Sequence, residues 1–132
     1  MTVGNLVFVA GHGPQTLDAE GNPTGYVTGK VGADVSVEEG YQAARLTAIS
    51  MLSTLRGEIG DLDRVRRIVR VFGMVNAVDG FTQQPEVING ASDLLVELFG
   101  ERGKHARAAV GMASLPRDIS VEIEMVVEIE PR

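Results

Sequence analysis

The sequence contains no cysteine and no tryptophan, and its aromatic residues are limited to two tyrosines and four phenylalanines. Without cysteine, disulfide bonds, thiol catalysis and the common zinc sites are excluded, and the composition fits a reducing cytoplasm. The only histidines are His12 and His105, and neither forms a metal-ligand pair with a carboxylate at helical spacing. We therefore expect no metal and no other cofactor. Because large rings are scarce, we expect part of the hydrophobic burial to come from contacts between subunits.

Positive charge is also scarce, since 12 Lys and Arg stand against 18 Asp and Glu and give a net charge of −6. A surface of this sign disfavours general binding to nucleic acid or to an anionic membrane. The sequence has no apolar run near the roughly 20 residues that a membrane span requires. Its first residues also lack the basic start of a signal peptide. We expect a cytoplasmic protein with neither nucleic acid nor a membrane as partner.

The composition is typical of one globular domain over residues 1–132, with 44% hydrophobic and 23% charged residues. Glycine is frequent, at 16 residues, where an average composition of about 7% would give fewer. Several glycines fall between residues 11 and 32, where we expect strands and loops to approach closely.

Two segments predict amphipathic helices. The first opens with a capping box at residues 36–39 and is expected to end at Gly57 and Gly60. Its apolar residues recur at steps of three or four: Tyr41, Ala44, Ala48, Leu52, Leu55 and Ile59. The second helix stops at Gly100, and Gly90 in its middle predicts a close approach of another element. Its expected buried stripe consists of Ile88, Ala91, Leu95, Leu98 and Phe99.

Strands are predicted around these helices. Residues 6–10 form a short apolar run, and the glycine-rich stretch after it predicts a hairpin with a weak second strand near Val27. Residues 65–75 alternate with a period of two. This places one set of side chains on one face (Val65, Val69, Val71, Val75) and another on the opposite face (Arg66, Ile68, Arg70, Phe72, Met74). Strands at residues 106–113 and 121–129 complete the predicted order ββαβαββ.

The predicted order describes an α+β fold in which a mixed sheet carries two helices. Strand–helix–strand crossovers are nearly always right-handed, so we expect both helices to cover the same face of the sheet. The other face then carries Ile68, Phe72, Met74 and Val126 among charged residues. An uncovered face this apolar usually contacts another chain, so we predict a homo-oligomer.

Arg107 is the one charged side chain in an otherwise small and apolar strand. An unpaired buried guanidinium is costly, so it must find a partner, and Glu122 is the obvious one if the last two strands pair as a hairpin. Two interpretations stay open. In the first, an Arg107–Glu122 ion pair ties the sheet or the subunits together. In the second, Arg107 offers its planar fork to a carboxylate substrate, with Glu122 close enough to handle a water.

Three segments carry a family resemblance: residues 3–11 (VGNLVFVAG), residues 106–110 (ARAAV), and Leu115-Pro116 followed by VEIE at residues 121–124. With them, the chain resembles the RidA (YjgF-type) family of 2-imino acid deaminases, also called the endoribonuclease L-PSP family. The resemblance covers nearly the whole chain, so residues 1–132 read as a single RidA-like domain. The sequences at residues 29–32, 89–90 and 105–107 are those of a divergent branch.

The resemblance implies a chorismate-mutase-like fold that assembles as a homotrimer with clefts between subunits. It also implies hydrolysis of reactive 2-imino or enamine acids to 2-keto acids and ammonia. Arg107 would clamp the substrate carboxylate, Glu122 would position the attacking water, and the backbone around Gly32 would help to hold the substrate. His12 and Asn89 are the further positions expected to bind substrate.

Two departures from the family concern the substrate. The strand commonly written V-S-G-Q reads VAGH at residues 9–12, which loses a hydroxyl and introduces the imidazole of His12. The family's N-terminal segment, with a tyrosine that reaches the cleft, has no expected counterpart before the first strand. We therefore expect a substrate range that differs from the family's archetype.

Two other functions stay open. A non-catalytic trimer could bind small carboxylate metabolites through the arginine clamp, which would appear as 2-keto acid binding without turnover. A ribonuclease or translation inhibitor, the family's older description, fits poorly with a net charge of −6 and few aromatic residues for base stacking. The expected partner is a small carboxylate-bearing imine or keto acid.

Overall fold

The computed structural model describes residues 1–131. Its helices are α1 (Val37–Ile59) and α2 (Gln84–Phe99). Its strands are β1 (Thr2–Val3), β2 (Leu6–His12), β3 (Gln15–Leu17), β4 (Pro23–Tyr26), β5 (Val65–Asn76), β6 (Ala106–Met112) and β7 (Val121–Ile129). Short helical turns lie at Leu62–Arg64, Gly100–Gly103 and Pro116–Asp118. No helix within residues 1–131 is both long and apolar enough to cross a membrane.

Five strands form the main sheet in the order β1-β2-β7-β5-β6. The β5–β6 pair is parallel and the other pairs are antiparallel, so the predicted mixed sheet is confirmed. The predicted hairpin forms, but it is built from β3 and β4 and is separate from the main sheet. Its turn is held by Asp18, whose carboxylate accepts hydrogen bonds from the amides of Glu20 and Asn22.

Helix α1 begins at the predicted capping box. The Ser36 hydroxyl accepts from the Glu39 amide at 3.1 Å, and the Glu39 carboxylate accepts from the Ser36 amide at 3.0 Å. The helix ends at Gly60, whose φ of +89° favours glycine and whose amide donates to the carbonyl of Arg56. Gly57 lies inside α1, so the expectation that it helps to end the helix is wrong.

Both helices pack on the same face of the sheet, as predicted, and their buried side chains form one hydrophobic cluster with those of the strands. Gly90 permits the close crossing of α2 over α1, because a Cβ at this position would overlap the main-chain oxygen of Tyr41. The Tyr41 hydroxyl also donates to Asp93 at 2.6 Å. Leu98 is 54% exposed, contrary to its place in the predicted stripe, and Leu94 is buried instead.

Strand β5 departs from the regular alternation expected of it. Its pairing with β7 shifts between Val65 and Arg67 and again between Ile68 and Arg70. Each shift leaves one extra residue in β5, as in a β-bulge, and reverses the faces of the residues after it. Ile68 therefore lies in the core, and Val69 is exposed, so the predicted faces of these two residues are wrong.

The sheet face without helices, called the open face here, keeps the predicted apolar character apart from the loss of Ile68. It carries four apolar side chains that are at least partly exposed: Phe8, Phe72, Met74 and Val126. Their strand pairing supports this placement, since Phe8 lies opposite Val126, and Phe72 and Met74 lie opposite glutamates of β7. Phe8 is 44% exposed. Glu122 and Glu124 share this face, in register with Met74 and Phe72 respectively.

Candidate functional site

Arg107 lies on β6, at the edge of the sheet, and its side chain is directed towards α2. Its Nη1 donates hydrogen bonds to Oδ1 of Asn89 at 2.8 Å and to Oγ of Ser92 at 3.1 Å. Asn89 and Ser92 are three residues apart on α2 and therefore share one face of the helix. The structure thus brings together two predicted site residues, Arg107 and Asn89, and adds Ser92 to them.

The positive charge of Arg107 has no anionic partner within residues 1–131. The ion pairs in this range join Arg45 to Glu97 and Lys104 to Glu101, whereas both acceptors of Arg107 are neutral oxygens. The side chain is exposed, and a guanidinium carries five N–H donors. Its remaining donors can form the paired hydrogen bonds that a carboxylate accepts.

Glu122 lies on the opposite face of the sheet from Arg107, so the expected pairing of the two residues is wrong for a single chain. Strand β5 stands between β6 and β7, and these two strands form no hairpin. The crossover through α2 sets β6 parallel to β5 along one edge of β5. The turn at Pro116–Asp118 then leads to β7, which pairs with the opposite edge of β5. Within one chain, the sheet therefore separates the two side chains.

The Glu122 carboxylate lies beside β2 on the open face, while its neighbours Val121 and Ile123 are buried beneath the helices. A Cβ at Gly11 would overlap the carboxylate oxygen Oε2 of Glu122. The absence of a side chain at Gly11 therefore leaves the space in which this carboxylate rests.

His12 is directed towards α1 and makes one hydrogen bond to that helix and one to its own strand. Its Nδ1 lies 2.6 Å from the carbonyl oxygen of Ala10, and its Nε2 lies 2.8 Å from the hydroxyl of Thr54. These residues line a cavity of about 380 Å³ that continues around β2 to Phe8 and Phe72 on the open face. The imidazole contacts neither Arg107 nor Asn89, and its substrate-binding role stays a prediction.

Gly32 lies in the loop before α1, with a φ of +97°. Its amide donates to the carbonyl of Val35, so this N–H is already occupied. Gly32 packs against Val78 and Phe81, which line a cavity of about 570 Å³ at the carboxyl ends of β5 and β6. The structure places it apart from the Arg107 cluster, and its role in substrate binding stays a prediction.

His105 immediately precedes β6 and joins the group of side chains around Arg107. Its Nδ1 lies 2.6 Å from the carbonyl oxygen of Gly103, and its Nε2 lies 2.9 Å from the Ser92 hydroxyl. Burial lowers the pKa of the His105 imidazole and the charge of Arg107 lowers it further, while the hydrogen bond to Gly103 opposes both effects. The spacing of Ser92 one helical turn after Asn89 is the sequence signal that points to this group.

Within residues 1–131, no group of three or more His, Asp or Glu side chains is arranged to hold a metal ion. The candidate site consists of the Arg107 guanidinium, on the sheet face that carries the helices, and the Glu122 carboxylate, on the open face.

The sequence profile of one protein family matches residues 4–128, and this family is described as YjgF/chorismate mutase-like and as a candidate endoribonuclease. The chain belongs to this family. The resemblance expected from the sequence is confirmed, as is the fold class, a mixed sheet with two helices of the chorismate-mutase-like type.

Relatives of this YjgF-family chain come from distant organisms. Protein TCP17 of Trypanosoma cruzi is 47% identical over 106 residues, which are 80% of this chain and 66% of that protein. The chain thus spans slightly less than two thirds of this relative's length. The crystal structure of Atu1372 from Agrobacterium tumefaciens, a protein of unknown function, has 45% identity and a TM-score of 0.92, covering 99% of this chain and 81% of Atu1372.

A third relative, from Shewanella oneidensis, carries the same candidate endoribonuclease description. It is 31% identical, with a TM-score of 0.89, and the match covers 98% of this chain and 82% of that one. These likenesses establish family and fold, and they leave the reaction to be inferred from the site.

Proposed function

We propose that the chain hydrolyses reactive 2-imino and enamine acids to 2-keto acids and ammonia. Arg107 binds the substrate carboxylate, Glu122 positions the attacking water, and the site lies in a cleft between subunits of a homotrimer in the cytoplasm. The observation that carries the proposal is the unpaired guanidinium of Arg107, held at the sheet edge by two neutral acceptors. A positioned cationic fork without an anionic partner suits the recognition of a carboxylate.

A second copy of the chain is part of the proposal because Arg107 and Glu122 lie on opposite faces of one sheet. The open face supplies a surface for that contact, since its apolar side chains Phe8, Phe72 and Met74 are only partly covered. The proposal requires that a neighbouring copy on this face bring its own Arg107 near Glu122 of the first. The complete site then contains one residue from each of two subunits.

The reaction needs only orientation and one activated water. The water oxygen forms a bond to C2 of the imino acid while one of its protons passes to the Glu122 carboxylate and from there to the imine nitrogen, which gives a 2-amino-2-hydroxy acid. The hydroxyl proton of this intermediate then passes through the same carboxylate to the nitrogen as the C2 carbonyl forms, the C2–N bond breaks and ammonia leaves. Imines of this kind hydrolyse in water unaided, so positioning by Arg107 and general-base assistance by Glu122 suffice for acceleration.

The test generates imino acids in place with an amino acid oxidase and follows the release of 2-keto acid. The wild-type chain should accelerate this release over buffer. Arg107→Ala should lower kcat/KM by about 10- to 100-fold because a charged hydrogen-bond pair to the carboxylate is lost. Glu122→Gln should lower kcat by about 100-fold with a small change in KM, as expected for a lost general base.

Arg56→Ala serves as the matched control, because Arg56 is an exposed arginine on α1 away from the site. Its activity should equal that of the wild type. Binding of a 2-keto acid in calorimetry without any acceleration of hydrolysis would replace the enzyme with a carboxylate-binding trimer. Cleavage of RNA by the purified chain, equal in Arg107→Ala, would instead support the endoribonuclease description and overturn the proposal.

A further inference from the structure

Four groups form a continuous hydrogen-bonded chain that ends at the Arg107 guanidinium. The carbonyl oxygen of Gly103 lies 2.6 Å from His105 Nδ1, His105 Nε2 lies 2.9 Å from Ser92 Oγ, and Ser92 Oγ lies 3.1 Å from Arg107 Nη1. The first group is itself fixed, because Gly103 is buried against the main chain of Leu95. The chain therefore connects a rigid backbone carbonyl to the proposed substrate clamp.

The direction of every hydrogen bond in this chain follows from its two ends. A carbonyl oxygen only accepts, so His105 carries its proton on Nδ1, and the Nε2 of the neutral ring is an acceptor. The Ser92 hydroxyl must then donate to Nε2, which leaves its oxygen lone pairs for Arg107. The guanidinium only donates, so the whole chain is satisfied when His105 is neutral.

The charged groups around His105 are engaged with other partners, apart from Arg107. Asp93 of α2 accepts from Tyr41, and Glu101 pairs with Lys104 at 2.6 Å. The guanidinium of Arg102 donates to the Val65 carbonyl, and that of Arg70 on β5 lies 5.4 Å from the ring centre of Phe72. Burial and the charge of Arg107 both lower the pKa of His105, which keeps the ring neutral.

We propose that His105 and Ser92 are positioning residues that hold the Arg107 guanidinium in its carboxylate-binding orientation before a ligand arrives. The inference deepens the proposed function, because it assumes that Arg107 is the carboxylate clamp. An exposed arginine has many rotamers, and freezing it on binding costs conformational entropy. Hydrogen bonds from Asn89 and Ser92 restrict Nη1 in advance, and His105 orients the hydroxyl so that it accepts from Arg107.

The first test measures binding of pyruvate, as a simple 2-keto acid, by calorimetry, together with KM and kcat for imine hydrolysis. Ser92→Ala and His105→Phe should each weaken pyruvate binding about fivefold to tenfold, the value of one hydrogen bond. KM should rise by a similar factor while kcat changes little. His105→Gln should restore most of the affinity, because its side-chain amide can accept from Ser92 at the position of Nε2. Ser53→Ala, at an exposed serine on α1, should match the wild type.

A double-mutant cycle separates positioning from a general loss of structure. In Arg107→Lys, the ammonium still attracts a carboxylate but lacks the fork that Ser92 and Asn89 hold. Adding Ser92→Ala to Arg107→Lys should weaken pyruvate binding less than twofold further. An equal loss in both backgrounds would show that Ser92 acts independently of Arg107 and would overturn the inference.

A second measurement does not depend on the proposed function. Nitrogen NMR of the unliganded wild-type chain should show His105 neutral with its proton on Nδ1, and restricted rotation of the Arg107 guanidinium that Ser92→Ala and His105→Phe release. A proton on Nε2, or Arg107 signals unchanged in both variants, would overturn the inference. If these signals behave as expected but no keto acid binds and no imine is hydrolysed, the proposed function is wrong and the positioning of Arg107 stands.

Discussion

At the scale of single residues, the contrast between Arg107 and Arg45 shows what makes an arginine available to a ligand. Both lie against α2, but Arg45 faces the carboxylate of Glu97 at 3.4 Å. Arg107 meets an amide and a hydroxyl, which orient the guanidinium without neutralising its charge. The full positive charge of Arg107 is therefore left for an incoming anion. An ion pair such as that of Arg45 would have offset part of this charge.

The neutral state of His105 should make the stability of the fold depend on pH. Because its pKa is lowered in the folded state, the unfolded chain takes up a proton first as the pH falls below about 6.5. This contribution is present above that pH and is lost as the pH falls towards the folded pKa. Urea unfolding of the wild type should show this loss as the pH is lowered through about 6.5.

His105→Gln isolates the contribution of His105 to this pH dependence, because a glutamine side chain does not titrate. Its free energy of unfolding should change less over the same pH range than that of the wild type. Parallel pH profiles for the two proteins would mean that His105 is not held neutral by the fold.

Part of the site could be predicted at this scale. Arg107 is recognisable in the sequence as a lone charge among small apolar residues, and Asn89 was expected in the site through the family resemblance. The link to Ser92 and His105 could not be predicted, because it depends on how α2 lies along β6. The prediction that Glu122 lies beside Arg107 assumes that β6 and β7 pair as a hairpin. Strand β5 lies between them instead, and local spacing does not reveal this non-local pairing.

At the scale of elements, the crossing of α1 and α2 depends on the absence of a side chain at Gly90. Gly90→Ala would gain up to about 1 kcal/mol of helix propensity. However, its Cβ would meet the rigid main chain of Tyr41 and Arg45, and overpacking of this kind costs about 1–3 kcal/mol or more. The cost should exceed the gain, so we expect a net loss of stability of about 1–2 kcal/mol in urea unfolding.

Gly57→Ala is the matched control, since Gly57 lies within α1 and a Cβ there would have no neighbour within 4 Å. It should gain up to about 1 kcal/mol. If Gly90→Ala were equally stabilising, the helices would have to be farther apart than the structure places them.

The sequence predicts elements that have strong local patterns, but it does not predict features that depend on how strands pair in the sheet. The capping box of α1 and the alternation of β7 are local patterns, and both appear as expected. The faces of Ile68 and Val69 in β5 depend on two extra residues relative to β7, which no local pattern marks. The separation of the β3–β4 hairpin from the main sheet is likewise not marked by any local pattern, because strand pairing depends on the whole sheet.

At the scale of the whole molecule, the proposed trimer should depend on the open face. Phe72→Asp would place a carboxylate on a half-buried apolar surface where another copy is expected to pack, close to Glu124. Burying that charge without a partner is unfavourable, so the subunits should separate. Light scattering after size-exclusion chromatography should show a trimer for the wild type and a monomer for Phe72→Asp, with imine hydrolysis lost in the monomer.

Leu98→Asp controls for the introduction of a charge on an exposed apolar residue, because Leu98 lies on α2 away from the open face. It should remain a trimer with full activity. A monomeric wild type, or an unchanged mass for Phe72→Asp, would contradict the proposed assembly.

Strand β5 holds two residues, Arg66 and Val69, that have no counterpart in β7. If either were deleted, Val65, Ile68 and Val71 would keep the same partners and the same burial. In most strands, deleting one residue turns every later side chain to the wrong face. Here, deleting Arg66 or Val69 only straightens the strand. The first half of β5 is therefore a place where related chains can differ in length while sharing one core, and alignment gaps belong inside this strand as well as in loops.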